Sequence, residues 1–327
     1  MSKKNSVWQK TVLITFAVLI LTQVSFSQGN WNPVFRQTTG DLVSVFFTSS
    51  ERGFIGGDGG YFAFTTDGGV NWTKMSLNTN DSVNEIYFRN DDNGYILVGR
   101  RIFITNDGGK SWRENRVLNA GDFVGLTPEF LSIRFADKKR GWIVGSVANK
   151  EEEVVDSLVL HTIDSGETWK RVVVPAEKKE LYAVDFIDET GWIVGDEGLI
   201  LKTEDDGQTW TKQNSGTNLS LYNVDFRDKK FGISVGSKGT ILRTENGGQT
   251  WETVRSEATK ALLRVNFIND KTGWIVGGGG TILRTEDKGK TWRKQDSKTA
   301  EALYGFYTDK RNSWAVGEKG LILKFLR

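Results

Sequence analysis

The sequence of 327 residues has no cysteine and a single histidine, His161. Without cysteine there can be no disulfide bond, no thiolate metal ligand, no thiol nucleophile and no lipid anchor on an N-terminal cysteine. One imidazole cannot make a metal site without carboxylate partners, and no H-x-x-x-H spacing occurs. We therefore expect no metal and no cofactor, and a fold stabilised by packing alone.

Proline is also scarce, at three residues, whereas glycine (37), phenylalanine (19) and tryptophan (12) are abundant. This composition favours many short, aromatic-rich strands joined by glycine turns over a helical bundle. The charges nearly cancel, with 43 basic and 41 acidic residues. Such a balance provides no positive field for nucleic acid, so we expect no nucleic-acid partner.

The N-terminal segment differs from the rest of the chain. Lys3, Lys4 and Lys10 precede an apolar run over residues 12–21, and Ser25 and Ser27 follow at small-residue positions. This pattern is typical of a secretory signal peptide, and we expect cleavage after Ser27. The alternative is an uncleaved anchor, but the run is shorter than the roughly 20 residues that span a bilayer. The prediction is residues 1–27 as signal peptide and residues 28–327 as one exported domain, periplasmic or extracellular, with no stable membrane insertion after cleavage.

A repeated motif, T-x-D-x-G-x-T-W, dominates the rest of the sequence. Six copies are recognisable, and an asparagine replaces the aspartate in one of them. The residues at the aspartate position are Asp67, Asp107, Asp164, Asp205, Asn246 and Asp287. Each lies in a predicted turn, where its side-chain oxygens can accept hydrogen bonds from turn amides while the motif glycine adopts positive φ. We interpret these residues as structural.

Tryptophans mark the period of the repeat. Trp31, Trp72, Trp112, Trp169, Trp210, Trp251 and Trp292 are separated by 41, 40, 57, 41, 41 and 41 residues. About 40 residues suit a four-stranded propeller blade, and the clearest unit predicts strands A to D over residues 181–187, 191–195, 199–203 and 209–213. The last unit, residues 303–325, has strands A to C only, whereas residues 31–35 form a lone fourth strand. The fold prediction is all-β: a seven-bladed β-propeller with Asp-box turns, closed by the N-terminal strand.

Two further rows repeat within strand A and are expected to fill the core. The first comprises Phe47, Phe88, Phe135, Phe186, Phe226, Phe267 and Tyr307. The second, two residues earlier, comprises Val45, Ile86, Ile133, Val184, Val224 and Val265.

The T-x-D-x-G-x-T-W string is the Asp-box of bacterial neuraminidase-type repeats. Combined with G-W-I-V-G-x-x-G-x-I-L-R-T at residues 273–285, it resembles the photosystem II stability and assembly factor family over residues 29–327. The resemblance implies an exported seven-bladed propeller that binds a photosystem reaction-centre precursor. The motif specifies the fold better than the function, because it also occurs in glycosidases and in sorting-receptor ectodomains.

The 57-residue spacing places 16 additional residues in the third blade, and alignment divides them into seven before strand A and nine between strands B and C. Both insertions are expected on the face opposite the Asp-boxes, where long loops on a rigid scaffold often bind partners. The first carries Phe123 and Phe130, which we propose as aromatic anchors. The second carries the acidic run at residues 151–153, for which a solvated insertion is equally plausible.

Other partner-binding candidates lie near the central channel. Polar strand A residues are expected to line it, and mutual ion pairing among them is favoured over a ligand site. These residues are Glu85, Arg134, Asp185, Asp225, Arg264, Asn266 and Tyr304. Tyr182 and Tyr222, at the start of strand A, are stronger contact candidates.

A row of basic residues occupies one strand C position: Lys202, Arg243, Arg284 and Lys324, with His161 one blade earlier. It resembles the positive patch that the assembly-factor family is thought to use for its client, although the positions do not match one by one. Pairing with Glu204, Glu245 and Glu286 is the alternative.

The function predicted from the sequence is an exported, monomeric, non-catalytic scaffold that binds a client protein and assists its assembly or stability. A sialidase-like glycosidase and a glycan-binding surface protein are the alternatives. The sialidase F-R-I-P signature is approached only by Phe35-Arg36-Gln37-Thr38, and sialidases have six blades.

Overall fold

The computed structural model describes residues 29–34, 36, 38–115, 117–118, 123–310 and 312–326. The predicted signal peptide lies outside these residues. Seven four-stranded antiparallel sheets make up the described part of the chain, and no helix in it has the length and apolar character needed to cross a bilayer.

The first three blades follow one another along the chain. Blade 1 comprises β2 (Leu42–Phe47), β3 (Gly53–Gly57), β4 (Tyr61–Thr65) and β5 (Thr73–Met75). Blade 2 comprises β6 (Val83–Phe88), β7 (Gly94–Val98), β8 (Arg101–Thr105) and β9 (Arg113–Asn115). Blade 3 comprises β10 (Thr127–Phe135), β11 (Gly141–Ala148), β12 (Val154–Thr162) and β13 (Lys170–Arg171).

The next three blades continue the same order. Blade 4 comprises β14 (Leu181–Ile187), β15 (Thr190–Gly195), β16 (Ile200–Thr203) and β17 (Thr211–Gln213). Blade 5 comprises β18 (Leu221–Phe226), β19 (Gly232–Gly236), β20 (Ile241–Thr244) and β21 (Glu252–Thr253). Blade 6 comprises β22 (Leu262–Phe267), β23 (Gly273–Gly277), β24 (Thr281–Thr285) and β25 (Arg293–Gln295). Short 3-10 turns join the second and third strands in five blades: Asp58–Gly60, Asp196–Gly198, Ser237–Gly239, Gly278–Gly280 and Glu318–Gly320.

Blade 7 is built from both ends of the chain, as predicted. Its strands are β26 (Leu303–Thr308), β27 (Ser313–Gly317), β28 (Ile322–Leu326) and β1 (Asn30–Val34). β1 pairs antiparallel with β28, and Trp31 lies opposite Phe325. The first strands of successive blades contact one another around the ring, and β26 contacts β2. The ring is therefore closed by the N-terminal strand, which covers the edge of β28 and becomes the outer strand of blade 7.

Aromatic stacking joins neighbouring blades. Phe186 of blade 4 stacks on Trp142 of blade 3 at a ring-centroid distance of 3.9 Å, and Trp210 of its own blade meets it edge-on at 5.9 Å. Phe226 stacks in the same way on Trp192 at 3.5 Å. The Phe row and the strand B tryptophans are thus core residues, as the sequence indicated.

One member of the predicted Phe row is wrong. In blade 7 the register pairs Thr308 with Ser313 and Tyr307 with Trp314. Since the row elsewhere pairs with the first glycine of strand B, as Phe267 does with Gly273, Thr308 occupies the core position. Tyr307 instead faces the channel, one residue away, because neighbouring residues of a strand point to opposite faces.

The strand order fixes two faces of the ring. At one end of the ring, strand A ends and the Asp-box turn joins strands C and D. We call this end the Asp-box face. Strand A begins at the other end, which we call the loop face; the connections between strands B and C lie there too. Both insertions of blade 3 are on the loop face, as predicted, because they lengthen the start of β10, the end of β11 and the start of β12.

Candidate functional site

The Asp-boxes form closed hydrogen-bond networks inside their own turns. Asp205 Oδ1 accepts hydrogen bonds from Thr203 Oγ1 at 2.8 Å and from the Thr209 amide at 2.9 Å, and its Oδ2 accepts one from Thr209 Oγ1 at 2.7 Å. Asn246 Oδ1 likewise accepts from Thr244 Oγ1 and the Thr250 amide, but its Nδ2 donates to Thr250 Oγ1, so the third hydrogen bond is reversed. Equivalent networks hold Asp67, Asp107, Asp164 and Asp287. These contacts explain why the turn tolerates asparagine.

The hydrogen bonds lower the pKa of the Asp-box carboxylates. The amide and side chain of Asn71, with Thr65, lower the pKa of Asp67 to about 2. The Thr209 hydroxyl and amide lower the pKa of Asp205 in the same way. A carboxylate held ionised by its own turn is a poor general acid, so the structural interpretation agrees with the electrostatics.

The glycine of the motif also has a packing role. Gly207 has a φ of +71°, and a Cβ on it would lie 2.5 Å from Nε1 of Trp142 in the preceding blade. The glycine thus combines the predicted positive φ with a close contact between blades.

The basic row of strand C is buried between blades. Lys202 and Arg243 are only 8% and 6% exposed. Arg243 Nε donates to the Lys288 carbonyl in the next blade at 2.8 Å, and Lys324 Nζ donates to the Gly68 carbonyl at 2.9 Å. Arg284 lies over the Trp274 ring at 5.2 Å.

The acidic partners weighed from the sequence are present too. Lys202 pairs with Glu204 at 2.6 Å, Arg284 pairs with Glu286 at 2.8 Å, and Arg243 pairs with Glu245. His161 stacks on Trp142 at 4.5 Å, and burial lowers its pKa. Arg243 and Lys324 therefore bond to the next blade, whereas Lys202 and Arg284 pair with carboxylates of their own blades. The burial of Lys202 and Arg243 contradicts the hypothesis that these two residues form a basic patch for a client.

The channel is lined by strand A residues that bond across blades. Glu85 accepts a hydrogen bond from the Ile133 amide at 2.6 Å and pairs with Arg134 at 2.6 Å. Asp185 accepts the Phe226 amide at 2.7 Å. Mutual pairing of the channel residues is therefore what the structure shows for these groups.

Asp225 repeats this arrangement one blade further on, accepting the Phe267 amide at 3.1 Å. Burial and the neighbouring Asp185 raise the pKa of Asp225 to about 8, while burial raises that of Asp185 to about 6. Their amide partners give both carboxylates a structural role.

Two cavities follow the channel. The larger, about 470 Å³, is lined by Glu85, Arg134, Arg227, Arg264 and Asn266, among others. The smaller, about 190 Å³, opens at the loop face and contains Tyr182, Tyr222, Leu131, Leu263 and Arg264. Arg264 and Val43 line both cavities.

Three candidates from the sequence thus come together at the loop-face opening. Tyr182 and Tyr222 pack edge-to-face at 5.0 Å, and Tyr182 donates to Asp196 at 3.0 Å. Arg264 lies in the same cavity. The hydrophobic residues Leu131 and Leu263 complete the wall; the sequence analysis missed them because it ranked only polar and aromatic residues at this end of strand A.

The prediction that Phe130 is an exposed aromatic anchor in the first insertion of blade 3 is wrong. Phe130 is fully buried, and its register opposite Gly145 matches that of Leu181 opposite Gly195. It is a core residue and presents no surface to a partner. Phe123 is half-buried against the same core cluster, and the Arg171 guanidinium lies 5.8 Å from its ring.

Features of catalysis are sparse in the described part of the chain. It contains no group of three or more His, Asp or Glu residues that could hold a metal. Arg36, the residue nearest a sialidase signature, donates to the carbonyls of Glu318 and Lys319 and pairs with Glu301. Arg36 therefore helps to attach the N-terminal segment to blade 7.

A family model described as the photosynthesis system II assembly factor YCF48 matches residues 23–116, 70–174, 123–220 and 254–326. The chain belongs to this family. The resemblance read from the Asp-box and the G-W-I-V-G string is thereby confirmed.

Curated relatives match over a shorter segment. The photosystem II stability/assembly factor HCF136 of rice, a chloroplast protein, is 30% identical over 121 residues, which is 36% of this chain and 26% of that protein. The Arabidopsis thaliana protein of the same name is 30% identical over 112 residues, which is 33% of this chain and 25% of that protein. The chain thus spans about a quarter of the length of these relatives.

Solved structures share the fold over nearly the whole chain. A structure described as YCF48 bound to D1 peptide has a TM-score of 0.70 at 19% identity and covers 93% of this chain and 96% of its own. YCF48 from Cyanidioschyzon merolae has a TM-score of 0.69 at 20% identity, covering 90% and 98%. Virginiamycin B lyase from Staphylococcus aureus, an enzyme, reaches 0.73 at 13% identity, covering 91% and 99%. The fold alone therefore does not separate scaffolds from enzymes.

Proposed function

We propose that this protein is an exported, non-catalytic assembly factor that binds a segment of a client protein on the loop face. The observation that carries the proposal is the loop-face opening, where the tyrosine pair and two leucines meet beside the extended strands of blade 3. Aromatic side chains with apolar neighbours are typical anchors of protein interfaces.

Family membership supports this proposal. A family member has been solved with a D1 peptide, so binding of a polypeptide segment is compatible with a propeller of this kind. We propose that the client is a protein and that neither nucleic acid nor membrane lipid is bound. We also propose that the chain is a monomer.

The channel chemistry supports a non-catalytic role. Glu85, Asp185 and Asp225 each accept a backbone amide of the next blade. A carboxylate fixed in this way stabilises the ring, and moving a proton to or from a substrate would disturb that contact.

Site-directed photocrosslinking tests the location of the binding site. A photoreactive phenylalanine analogue replaces Tyr222 on the loop face or Val70 on the Asp-box face, where Val70 is 68% exposed. Crosslinks to one client from position 222 and none from position 70 are expected. Client crosslinks from position 70 alone would place binding on the opposite face and contradict the proposal.

A variant pair tests the anchors. Tyr222→Ala combined with Phe123→Ser is expected to weaken capture of the crosslinked client with little change in melting temperature, because both side chains are only half-buried. Val70→Ser, at a side chain 68% exposed on the Asp-box face, is the matched control and should bind as the parent does. Hydrolysis of a glycan by the parent protein would instead favour the glycosidase alternative.

A further inference from the structure

One strand A position, next to the strand bulge, carries an arginine in blade 6. At the strand bulge, three polar members accept the amide of the next blade: Ser44 from Ile86 at 2.9 Å, Glu85 from Ile133 at 2.6 Å and Asn223 from Val265 at 3.0 Å. Arg264 occupies the equivalent register position. A guanidinium has no acceptor, so Arg264 cannot make the contact that Ser44, Glu85 and Asn223 make.

The Arg264 side chain has little to bind within the protein. Its hydrogen bond among the described residues runs from Nη1 to the carbonyl of Leu263 at 2.9 Å, and it forms no ion pair in this part of the chain. Burial lowers the pKa of Arg264, the Glu85 carboxylate raises it, and the nearby positive Arg134 lowers it again. An arginine still retains its proton in proteins. Because Glu85 already pairs with Arg134, two cations share this one carboxylate.

The other two arginines of the channel, Arg134 and Arg227, differ in how many hydrogen-bond partners they have. Arg134 is better satisfied than Arg264, since Nη1 pairs with Glu85 and also donates to the Ile133 carbonyl at 2.7 Å. Arg227 donates from Nη1 to the Phe267 carbonyl at 3.3 Å, but its buried Nε has no partner among the described residues. Arg227 and Arg264 both line the cavity of about 470 Å³.

The channel carboxylates are already engaged. Glu85 binds Arg134, whereas Asp185 and Asp225 face backbone amides of the next blade. Burial and the neighbouring Asp185 raise the pKa of Asp225, so the channel carboxylates compensate the charge of the arginines only in part. The cavity volume lies in the range of small-molecule sites.

We propose that the channel is a binding site for a small anion, whose carboxylate or phosphate group binds the Arg264 guanidinium, with Arg227 in the wall of the same cavity. A planar guanidinium offers paired donors that match both oxyanions. The ligand is a free small molecule, because Arg264 lies where the opening of about 190 Å³ meets the larger cavity, beyond the tyrosine pair.

Calorimetric titration of the purified protein with inorganic phosphate and with succinate tests the proposal, with sodium chloride at equal ionic strength as the blank. Saturable binding of at least one of the two anions is expected, together with a rise in melting temperature, because a ligand of the native state stabilises it. Arg264→Met should weaken that binding about tenfold or abolish it. Arg227→Met should weaken it less, and Arg264→Lys should retain part of it.

Arg293→Met is the matched control, since it removes one positive charge from the exposed outer strand of the same blade. It should bind the anion as the parent does. Circular dichroism and the ligand-free melting temperature check that Arg264→Met is folded; if it is not, Arg264→Lys and Arg227→Met provide the comparison. No response to either anion beyond the chloride blank, or undiminished binding by folded Arg264→Met, would overturn the proposal.

Titration with a short acidic peptide distinguishes a carboxylate carried by a small molecule from one carried by a polypeptide. If it binds in an Arg264-dependent way while phosphate and succinate do not, Arg264 belongs to a polypeptide site, and the small-anion proposal is wrong.

Discussion

Arg243 Nε of blade 5 donates a hydrogen bond to the Lys288 carbonyl oxygen in the Asp-box turn of blade 6, at 2.8 Å. Lys324 of blade 7 makes the corresponding contact with the Gly68 carbonyl in the turn of blade 1. A cation in strand C of one blade thus binds the Asp-box turn of the next. The Asp-box contributes to contacts between blades as well as to its own turn.

Arg243→Met should lower the free energy of unfolding by about 2 kcal/mol, because it removes a charged donor and leaves the Lys288 carbonyl without its partner. Denaturant unfolding monitored by tryptophan fluorescence measures the change. Arg293→Met, on the exposed outer strand of blade 6, should change stability by less than about 0.5 kcal/mol. Equal effects of the two substitutions would mean that the inter-blade contact contributes nothing.

Asp205→Ala should destabilise the protein by about 1 kcal/mol, since the turn loses three acceptor contacts but stays close to solvent. Asp205→Asn should cost much less, because Asn246 Oδ1 accepts the corresponding hydrogen bonds in blade 5. Thermal melts of both variants compare these costs. Loss of client binding at unchanged stability would instead give Asp205 a functional role.

The Asp-boxes should also make the protein sensitive to acid. A carboxylate with a lowered pKa stabilises the fold at every pH above its unfolded value near 4, and this stability disappears as the pH falls through its folded value, about 2 for Asp67. Asp67→Asn should therefore show a shallower loss of melting temperature between about pH 4 and pH 2. Parallel pH profiles for parent and variant would rule out this contribution.

Asp225 should make the fold less stable as the pH rises, the opposite of the effect of the Asp-box carboxylates. Its pKa is raised to about 8, so its contribution is fully present below the unfolded value near 4 and is lost as the pH rises towards 8 and beyond. Asp225→Asn keeps an acceptor for the Phe267 amide without the charge. Its melting temperature relative to the parent should rise from pH 5 to pH 9, and a constant difference would contradict the assignment.

Trp31→Ala should lower the free energy of unfolding by about 3–5 kcal/mol, because the side chain is fully buried and packs edge-on against Trp274 at 5.4 Å. Denaturant melts measure the loss, with the exposed Val173→Ser as control. An unchanged midpoint would show that β1 is dispensable for ring closure.

The ring was predictable because its signal is periodic and its ends are complementary. Trp31 falls one repeat before Trp72 without a preceding strand A, and this alone indicated the split blade 7 that β1 and β28 form. The Asp-box role was predictable for a similar reason, since Asn246 showed which property of the aspartate the turn requires.

The errors in the sequence predictions arose where residues were aligned by counting along the chain instead of by strand pairing. Phe130 was assigned to the insertion, although it lies five residues before Phe135, as Leu181 lies five before Phe186, and shares the register of Leu181. Tyr307 attracted the Phe-row assignment because it is aromatic, although the spacing of 41 from Phe267 leads to Thr308. For Lys202 and Arg243, a linear sequence does not show that strand C side chains reach the following blade, so burial could not be foreseen.

The pairing of Asn30 with Leu326 has a consequence for the order of events during synthesis. A ribosome makes β1 before the other strands of the ring and β28 after them, so Trp31 has no partner strand until the rest of the ring has been synthesised. Contacts this distant in sequence form slowly, and partly made chains with exposed apolar surface are prone to aggregate. Closure of the ring thus requires β1, which is made early, to stay unpaired until β28 has been made. We therefore expect the nascent chain to bind holding chaperones.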